Sequence, residues 1–476
     1  MTSQVGGGSN RSGRRIGLRW SHAFVCKRIE IDRKPENSIH VYAMQGFHID
    51  SSDARRAYPP VRLALIGVGG MGAYHLNFIR ELEEQGLVKL AAVADPLLAA
   101  RSAREDFESR GVHCHSDYRD MLDRNELDAV QIAAPISLHF AMVKDCLARR
   151  LFVNLEKPPV PLIQQLNELI RLDRTIRVSV GFQHICSPQI HALKRWILAG
   201  KLGVLREIRI AGSWPRTSDY YARPWSGRMA FAGEPVYDGP ATNAMAHLIH
   251  NVMFLAGDQS ESFARPWDIQ AELYRVRPIE SYDLVCLRGS FVSGMSFTAS
   301  LSHVTEKAVP FCVEVSGSED WVRIGNDGKT VESSSGIHEF PDAPDLNAFS
   351  AYHRQFIEFA AGVRSRPPST LQDCLGFIMA TNGALVSSGG IHDIPSEFTR
   401  IYGMGGDMGY DVPGLTDLLE GSLREGRLFS ELGAPWAVST GRVRLAELRT
   451  LDLEALMNAD RALTEEVVAD QIGGRA

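Results

Sequence analysis

The chain has 476 residues, too many for one ordinary domain and enough for two with tails. Hydrophobic residues make up 44%, so each domain can bury a core, yet no apolar run reaches the roughly 18 residues that a membrane span needs. With a net charge of −6 nothing favours nucleic acid as a partner, and the seven scattered cysteines, with no C-x-x-C pair and no metal spacing, suit reduced thiols in a cytoplasmic protein.

Residues 1–57 differ from the rest. They hold 10 Lys/Arg against 5 Asp/Glu, which leaves the remaining chain at −11. The run from Gly6 to Arg15 reads as a flexible basic tail. A targeting peptide is disfavoured, because no uninterrupted apolar stretch is present and Glu30 and Asp32 are acidic. A poorly ordered extension is expected, with Met44 as an alternative start.

Regular structure is expected after Pro59-Pro60. The run Val61–Ile66 suits a buried parallel strand, and Gly67-Val68-Gly69-Gly70-Met71-Gly72 leads into a helix from Ala73 to Gln85. Strand, G-x-G-x-x-G and helix form the fingerprint of dinucleotide binding. Gly67 permits the tight turn, Gly69 lets a pyrophosphate approach the backbone, and Gly72 lets helix and strand pack closely. The helix N-terminus then faces the phosphates. A second strand, Val88–Ala94, ends at Asp95, 23 residues past Gly72. A carboxylate there accepts from ribose hydroxyls and repels a 2′-phosphate, and Pro96, Leu97 and Leu98 offer no cation. NAD is expected in preference to NADP.

The alternation continues with helices over Leu97–Ser109 and Ser116–Asn125, a strand over Ala129–Ala134, a helix over Ser137–Arg149 and a strand over Leu151–Leu155. That strand runs into Glu156-Lys157-Pro158. Lys157 sits where open α/β sheets place ligands, between a carboxylate and a rigid proline. Its ammonium is suited to bond a substrate hydroxyl and stabilise a developing alkoxide.

From Arg177 onward the pattern changes. A helix is expected at Ser187–Ala199, a strand at Leu205–Ser213, and antiparallel strands at Ile269–Val276, Asp283–Phe291, Gly294–Leu301, Phe311–Ser316 and Trp321–Ile324. One face of such a sheet carries helices and the other stays free for partners. Trp214, Arg216, Tyr221, Arg223 and Trp225 fall in the densest polar-aromatic stretch and suit a pocket wall for a polar ring. Gln183 and His250 are placed on the substrate side with them. Pro240 and Gly257 bracket a helix on which Asn243 and His247 are i and i+4, on one face. A histidine has the right proton affinity to take a hydroxyl proton as hydride leaves the same carbon. Later, Phe349–Gly362 and Leu371–Ser388 suit helices over the sheet. Gly403–Gly409 reads as a flexible loop, Gly433–Trp436 as a segment able to close the pocket, and Leu451–Ile472 as a terminal helix.

Over residues 61–400 the chain resembles the Gfo/Idh/MocA family of oxidoreductases. The matching pieces are the fingerprint at Gly67, the Val93-Ala94-Asp95-Pro96 strand end, Ala134-Pro135 with His139, Glu156-Lys157-Pro158, Gly200-Lys201-Leu202-Gly203 and the His247 helix. The resemblance implies an α/β chain: an N-terminal Rossmann domain with a doubly wound parallel sheet, then an α/β domain with a large open, mostly antiparallel sheet. The boundaries expected are 1–57 for the extension, 58–181 for the NAD(P)-binding domain and 182–476 for the substrate domain with C-terminal helices. It implies that Gly67, Gly69, Gly70, Met71, Gly72, Asp95, Ala134, Pro135, His139, Glu156 and Lys157 hold the cofactor. Lys157, His247 and Asn243 form the catalytic set, with a cis Lys157-Pro158 bond. The family usually has an aspartate where this chain has Asn243, which leaves the reaction type open. The function expected is NAD-dependent oxidation of a hydroxyl on a sugar, cyclitol or related polyol. Alternatives are NAD-requiring glycoside cleavage through transient oxidation and elimination, and a dinucleotide sensor without turnover. No metal, nucleic acid or membrane partner is expected; a homo-oligomer through the open sheet face is a further expectation.

Overall fold

The computed structural model describes residues 58–98, 103–324, 330–334, 336–339 and 347–455. The basic extension, the middle of the helix expected at Leu97–Ser109 and all but the start of the terminal helix lie outside them.

Six short apolar segments form the first sheet: β1 (Val61–Ile66), β2 (Val88–Ala94), β3 (His113–His115), β4 (Ala129–Ile132), β5 (Phe152–Leu155) and β6 (Val178–Val180). The order is β3-β2-β1-β4-β5-β6 and every pairing is parallel. Between them run α1 (Met71–Glu84), α2 (Ala103–Ser109), α3 (Tyr118–Arg124), α4 (Ile136–Ala148) and α5 (Ile163–Leu172). Strands with both faces covered read as unbroken apolar runs, and β4 is buried at all four positions. Strand β3 and helix α5 are additions to the sequence reading. Three residues carry no periodicity, while α5 turns Ile163, Leu166 and Leu169 inward at helical spacing. The strand order reverses between β1 and β4, the switch point at which a doubly wound sheet takes its ligand.

The second part contains α6 (Pro188–Leu198), β7 (Leu205–Ser213), α7 (Ser218–Tyr221), a two-strand ladder of β8 (Ala230–Phe231) and β9 (Glu234–Pro235), and α8 (Ala246–Leu255). It continues with β10 (Pro266–Arg275), β11 (Leu284–Phe291), β12 (Ser296–Ser302), β13 (Val309–Gly317), β14 (Trp321–Ile324), β15 (Thr330–Ser333) and β16 (Gly336–Glu339). Helices α9 (Ala348–Ala360) and α10 (Leu375–Ser388), strands β17 (His392–Asp393), β18 (Arg400–Tyr402) and β19 (Gly409–Asp411), helix α11 (Leu415–Glu425) and β20 (Val443–Arg444) complete it. The large sheet runs β16-β15-β14-β13-β7-β12-β11-β10-β17, with β20 beside β10. It is mostly antiparallel, but β7 enters the middle parallel to β12. Among the described residues no helix is long and apolar enough to cross a membrane.

One face of the large sheet packs Ile269, Ala271, Leu273, Val285 and Leu287 into the main core with α8 and α10. The other face, expected to lie open, is covered along β10–β12. Helix α11 turns Leu415 and Leu419 onto it, and Phe429 and Trp436 pack there with Tyr274 and Cys286. Trp436 therefore does not close the pocket; it stands edge-on to Tyr274, ring centroids 4.9 Å apart. The physical reason is burial of a full aromatic face, worth more than any exposed placement. On β7 and β13 the same face carries polar groups: Arg209 lies 3.5 Å from Glu314 and donates to the Arg424 carbonyl of α11 at 2.7 Å. A second copy of the chain thus meets no bare apolar sheet over β10–β12.

Candidate active site

The β1–α1 loop is shaped by its glycines. Gly67 has φ +83°, and a Cβ on Gly72 would lie 1.8 Å from the Gly67 carbonyl oxygen. Both positions therefore exclude every side chain. Gly70 caps α1 with no side-chain hydrogen bond, no acid occupies the first turn, and the space outside Gly70 is open. A 14-residue helix with an uncapped glycine N-terminus fits a pyrophosphate. Met71 is exposed beside it.

Asp95, buried at the end of β2, accepts from the Val68 amide at 3.0 Å through Oδ2 and from the Leu97 amide at 2.8 Å through Oδ1. The carboxylate pins the fingerprint loop at the end of β2, the place from which an acid accepts ribose hydroxyls, which fits NAD. His139 is different. Its ring nitrogens face the Ala134 carbonyl at 3.0 Å and the Pro158 carbonyl at 2.9 Å. Burial lowers its proton affinity, so the neutral ring donates to one of them. It ties the loops after β4 and β5 together. Pro135 stands at the N-cap of α4.

Glu156 and Lys157 follow β5, and the Lys157-Pro158 bond is cis. Glu156 is buried. Burial raises its carboxyl, but hydrogen bonds and charge from His75, Lys157 and Gln183 outweigh it and hold the group at about 2. His75 Nε2 lies 2.8 Å from Glu156 Oε1, and His75 Nδ1 lies 2.8 Å from His353 Nε2. His353 Nδ1 in turn faces the Phe349 carbonyl at 2.7 Å. Burial holds His353 neutral, its Nδ1–H donating to the Phe349 carbonyl, and His75 bridges its Nε2 to the Glu156 carboxylate. Gln183, expected near substrate, is buried and spends its amide on Glu156 at 3.3 Å.

Lys157 is half-buried, and its Nζ donates to Asn243 O at 2.9 Å and Asn243 Oδ1 at 3.0 Å. An ammonium has three N–H groups, so one remains for a substrate oxygen. Burial pushes its proton affinity down, partly offset by Glu156 and Asp238.

Asn243 does not sit on a continuous helix with His247. Pro240–Ala244 forms a π-type turn, Met245 breaks the run, and α8 begins at Ala246. Such turns are frequent at functional sites. The Asn243 amide donates to Asp238 Oδ1 at 2.8 Å, and Gly227 N donates to Asp238 Oδ2 at 2.7 Å. The carboxylate missing at position 243 is thus supplied five residues earlier and reaches Lys157 through Asn243. It does not reach His247. That ring is buried, stacks on the ring of His184 at 4.1 Å, and has an Nδ1 with no partner among the described residues. Burial first, then the charges of His184 and Lys157, push its proton affinity well down. His250, expected near substrate, belongs to the core. It is fully buried and stacks flat on Phe182, centroids 3.9 Å apart.

The aromatic-arginine stretch follows β7. Tyr221 OH lies 3.0 Å from His303 Nδ1, and Trp214 and Trp225 flank the guanidiniums of Arg216 and Arg223. Gly403–Gly409, expected as a loose loop, joins β18 to β19 and is bonded to α7 through Ser218 N and Met408 O at 2.9 Å. Sequence reading missed Asp238, His75, His184 and His303 as site members. Only Asp238, an acid just before the Gly-Pro that opens the turn, carried a readable signal.

The parallel sheet, its glycine loop and the strand end before Lys157 define a domain of the NAD-binding Rossmann type. Residues 61–184 match the family model described as "Oxidoreductase family, NAD-binding Rossmann fold", that of Gfo/Idh/MocA proteins. The chain is 33% identical over 146 residues to the rhizopine catabolism protein MocA of Rhizobium meliloti, covering 30% of this chain and 44% of that one. It is 24% identical over 206 residues to inositol 2-dehydrogenase of Corynebacterium glutamicum, covering 39% and 60%. Both matches span less than two thirds of those relatives. In fold it is similar to the WlbA dehydrogenase of Bordetella pertussis solved with NADH and UDP-GlcNAcA, with TM-score 0.59, 19% identity and coverage of 69% and 96%.

Proposed function

We propose that the chain is an NAD-dependent dehydrogenase that oxidises a hydroxyl of a sugar, cyclitol or related polyol. The observation that carries this reading is the Lys157 ammonium held by Asn243 with one N–H left over, its charge acting on His247, whose Nδ1 has no hydrogen-bond partner among the described residues. A bound nicotinamide supplies the hydride acceptor. Lys157 donates to the substrate oxygen and stabilises negative charge on it. His247, neutral because buried, accepts the hydroxyl proton. Asp95 favours NAD over NADP by repelling a 2′-phosphate. The activity named for the inositol 2-dehydrogenase relatives agrees with a cyclitol or sugar substrate. A cytoplasmic setting suits the six described cysteines, all of them free.

The test is a sugar and cyclitol panel with NAD and with NADP, following reduced nicotinamide and products together. Net reduction of NAD in step with ketone formation supports the reading. Cleavage of a glycoside with no net reduction replaces it by transient oxidation and elimination.

A further inference from the structure

The stretch after β7 gathers cations that the fold does not neutralise. Arg216 lies 3.6 Å from the centroid of Trp214 and 4.5 Å from that of Tyr220. Arg223 lies 4.0 Å from Tyr220 and 4.5 Å from Trp225. Stacking fixes a guanidinium plane but leaves its five N–H groups, which point out along the plane, unsatisfied. Among the described residues the Arg216 guanidinium makes no hydrogen bond, and its Nε is buried without a partner. Arg223 spends only Nε, on the Tyr220 carbonyl at 3.1 Å. Neither forms an ion pair among the described residues, whereas the neighbouring Arg277 is paired with Asp283 at 3.2 Å.

Both guanidiniums lie close enough to Lys157 for their charge to act on it. The acid within reach of all three, Asp238, already accepts from Gly227 N and Asn243 Nδ2. Two stacked, rigid and unpaired guanidiniums beside the lysine make an oxyanion clamp. A neutral polyol would leave both guanidiniums without a counter-charge.

We infer that the substrate carries an oxyanion, a carboxylate or a phosphate ester, held by Arg216 and Arg223 while Lys157 addresses the hydroxyl to be oxidised. This deepens, and rests on, the reading of the site as a polyol dehydrogenase. The binding test does not require turnover. The full chain, saturated with NADH, is titrated calorimetrically with D-glucuronate, D-glucose 6-phosphate and D-glucose. The expected result is that one of the anions binds at least about 10-fold more tightly than glucose, and which one does so separates the two oxyanions. Arg216→Gln should remove that preference, bringing the affinity for the anions down to that for glucose. Arg223→Gln, at an exposed position, gives the same readout if the first variant folds poorly. Anions that bind no better than glucose, or a preference that survives both substitutions, overturn the inference. Anion-selective binding with no redox turnover would instead sink the dehydrogenase reading and leave the clamp standing.

Discussion

Lys157, at the end of β5, donates to both the backbone and the side-chain oxygen of Asn243, in the turn before α8, at 2.9 and 3.0 Å. The bond crosses from the parallel sheet to the helix layer of the second sheet. It fixes the position of the ammonium.

Lys157→Ala and His247→Ala are each expected to lower kcat by at least about 10²-fold with NADH affinity little changed. The double variant should lose less than the product, because both groups act on one oxygen. A general base must be unprotonated to work, and burial holds His247 well below its ordinary value of 6.5. The rate should therefore show no acid limb centred near 6.5; such a limb, abolished by His247→Ala with other residues intact, would contradict the burial argument. A His247→Ala enzyme at wild-type rate would remove the histidine from the chemistry.

Asn243→Asp tests the Asp238 link. It would set a second carboxylate against Asp238 Oδ1, where Asn243 now donates at 2.8 Å. Two carboxylates that close share one proton, so one of them titrates above its unfolded value. A raised carboxyl contributes stability below its unfolded value and loses it as pH rises through the folded one. The variant should thus be nearly as stable as wild type near pH 4 and progressively weaker toward pH 7 in urea titrations. A pH-independent difference would show that the two groups move apart.

The buried histidines give the wild-type chain a slope of opposite sense. His250 and His353 are held at about 3, by burial first and for His353 also by His75, while burial lowers His139 and His303 as well. Each is neutral in the fold but charges near 6.5 once unfolded. Their contribution is fully present above 6.5 and is lost as pH falls toward the folded values. Unfolding near pH 5 should take up protons, and His250→Phe, which keeps the stack on Phe182, should remove about one of them. That is a change in slope of about 1.4 kcal/mol per pH unit. An unchanged slope would mean that His250 is already charged in the fold.

Much of this was legible in the chain. The glycine loop, Asp95 and the strand before Lys157 follow local rules that act within about thirty residues, so spacing alone located them. Asn243 and His247 were expected on one face of a single helix; Asn243 instead sits in a π-type turn at Pro240–Ala244, which depends on Asp238 and Tyr282 packing around it. His250 and Gln183 looked like site residues because polar groups near a motif draw attention; only the fold reveals that one stacks in the core and the other serves Glu156. Coverage of the second sheet face was illegible for a similar reason. Leu415 and Leu419 mark a helix as amphipathic without naming the surface it covers.

His75 joins Glu156, the chain neighbour of Lys157, to His353, which lies 278 residues from His75 in sequence. Glu156 is depressed to about 2, so its ionised state contributes stability above the unfolded value and loses it only as pH falls toward 2. His75→Leu would leave that carboxylate buried with only the Lys157 amide at 3.2 Å and the Gln183 amide at 3.3 Å. Breaking one side of a buried pair typically costs about 3–5 kcal/mol, whereas replacing both sides is far milder. His75→Leu alone should therefore destabilise strongly, and its carboxyl should titrate upward. The double variant His75→Leu with Glu156→Gln should recover part of the loss, since the neutral amide needs no counter-charge. A double-mutant cycle on chemical denaturation measures the coupling directly. Additive losses would mean that the two groups are held by their separate surroundings and that the His75–Glu156 contact carries no coupling of its own.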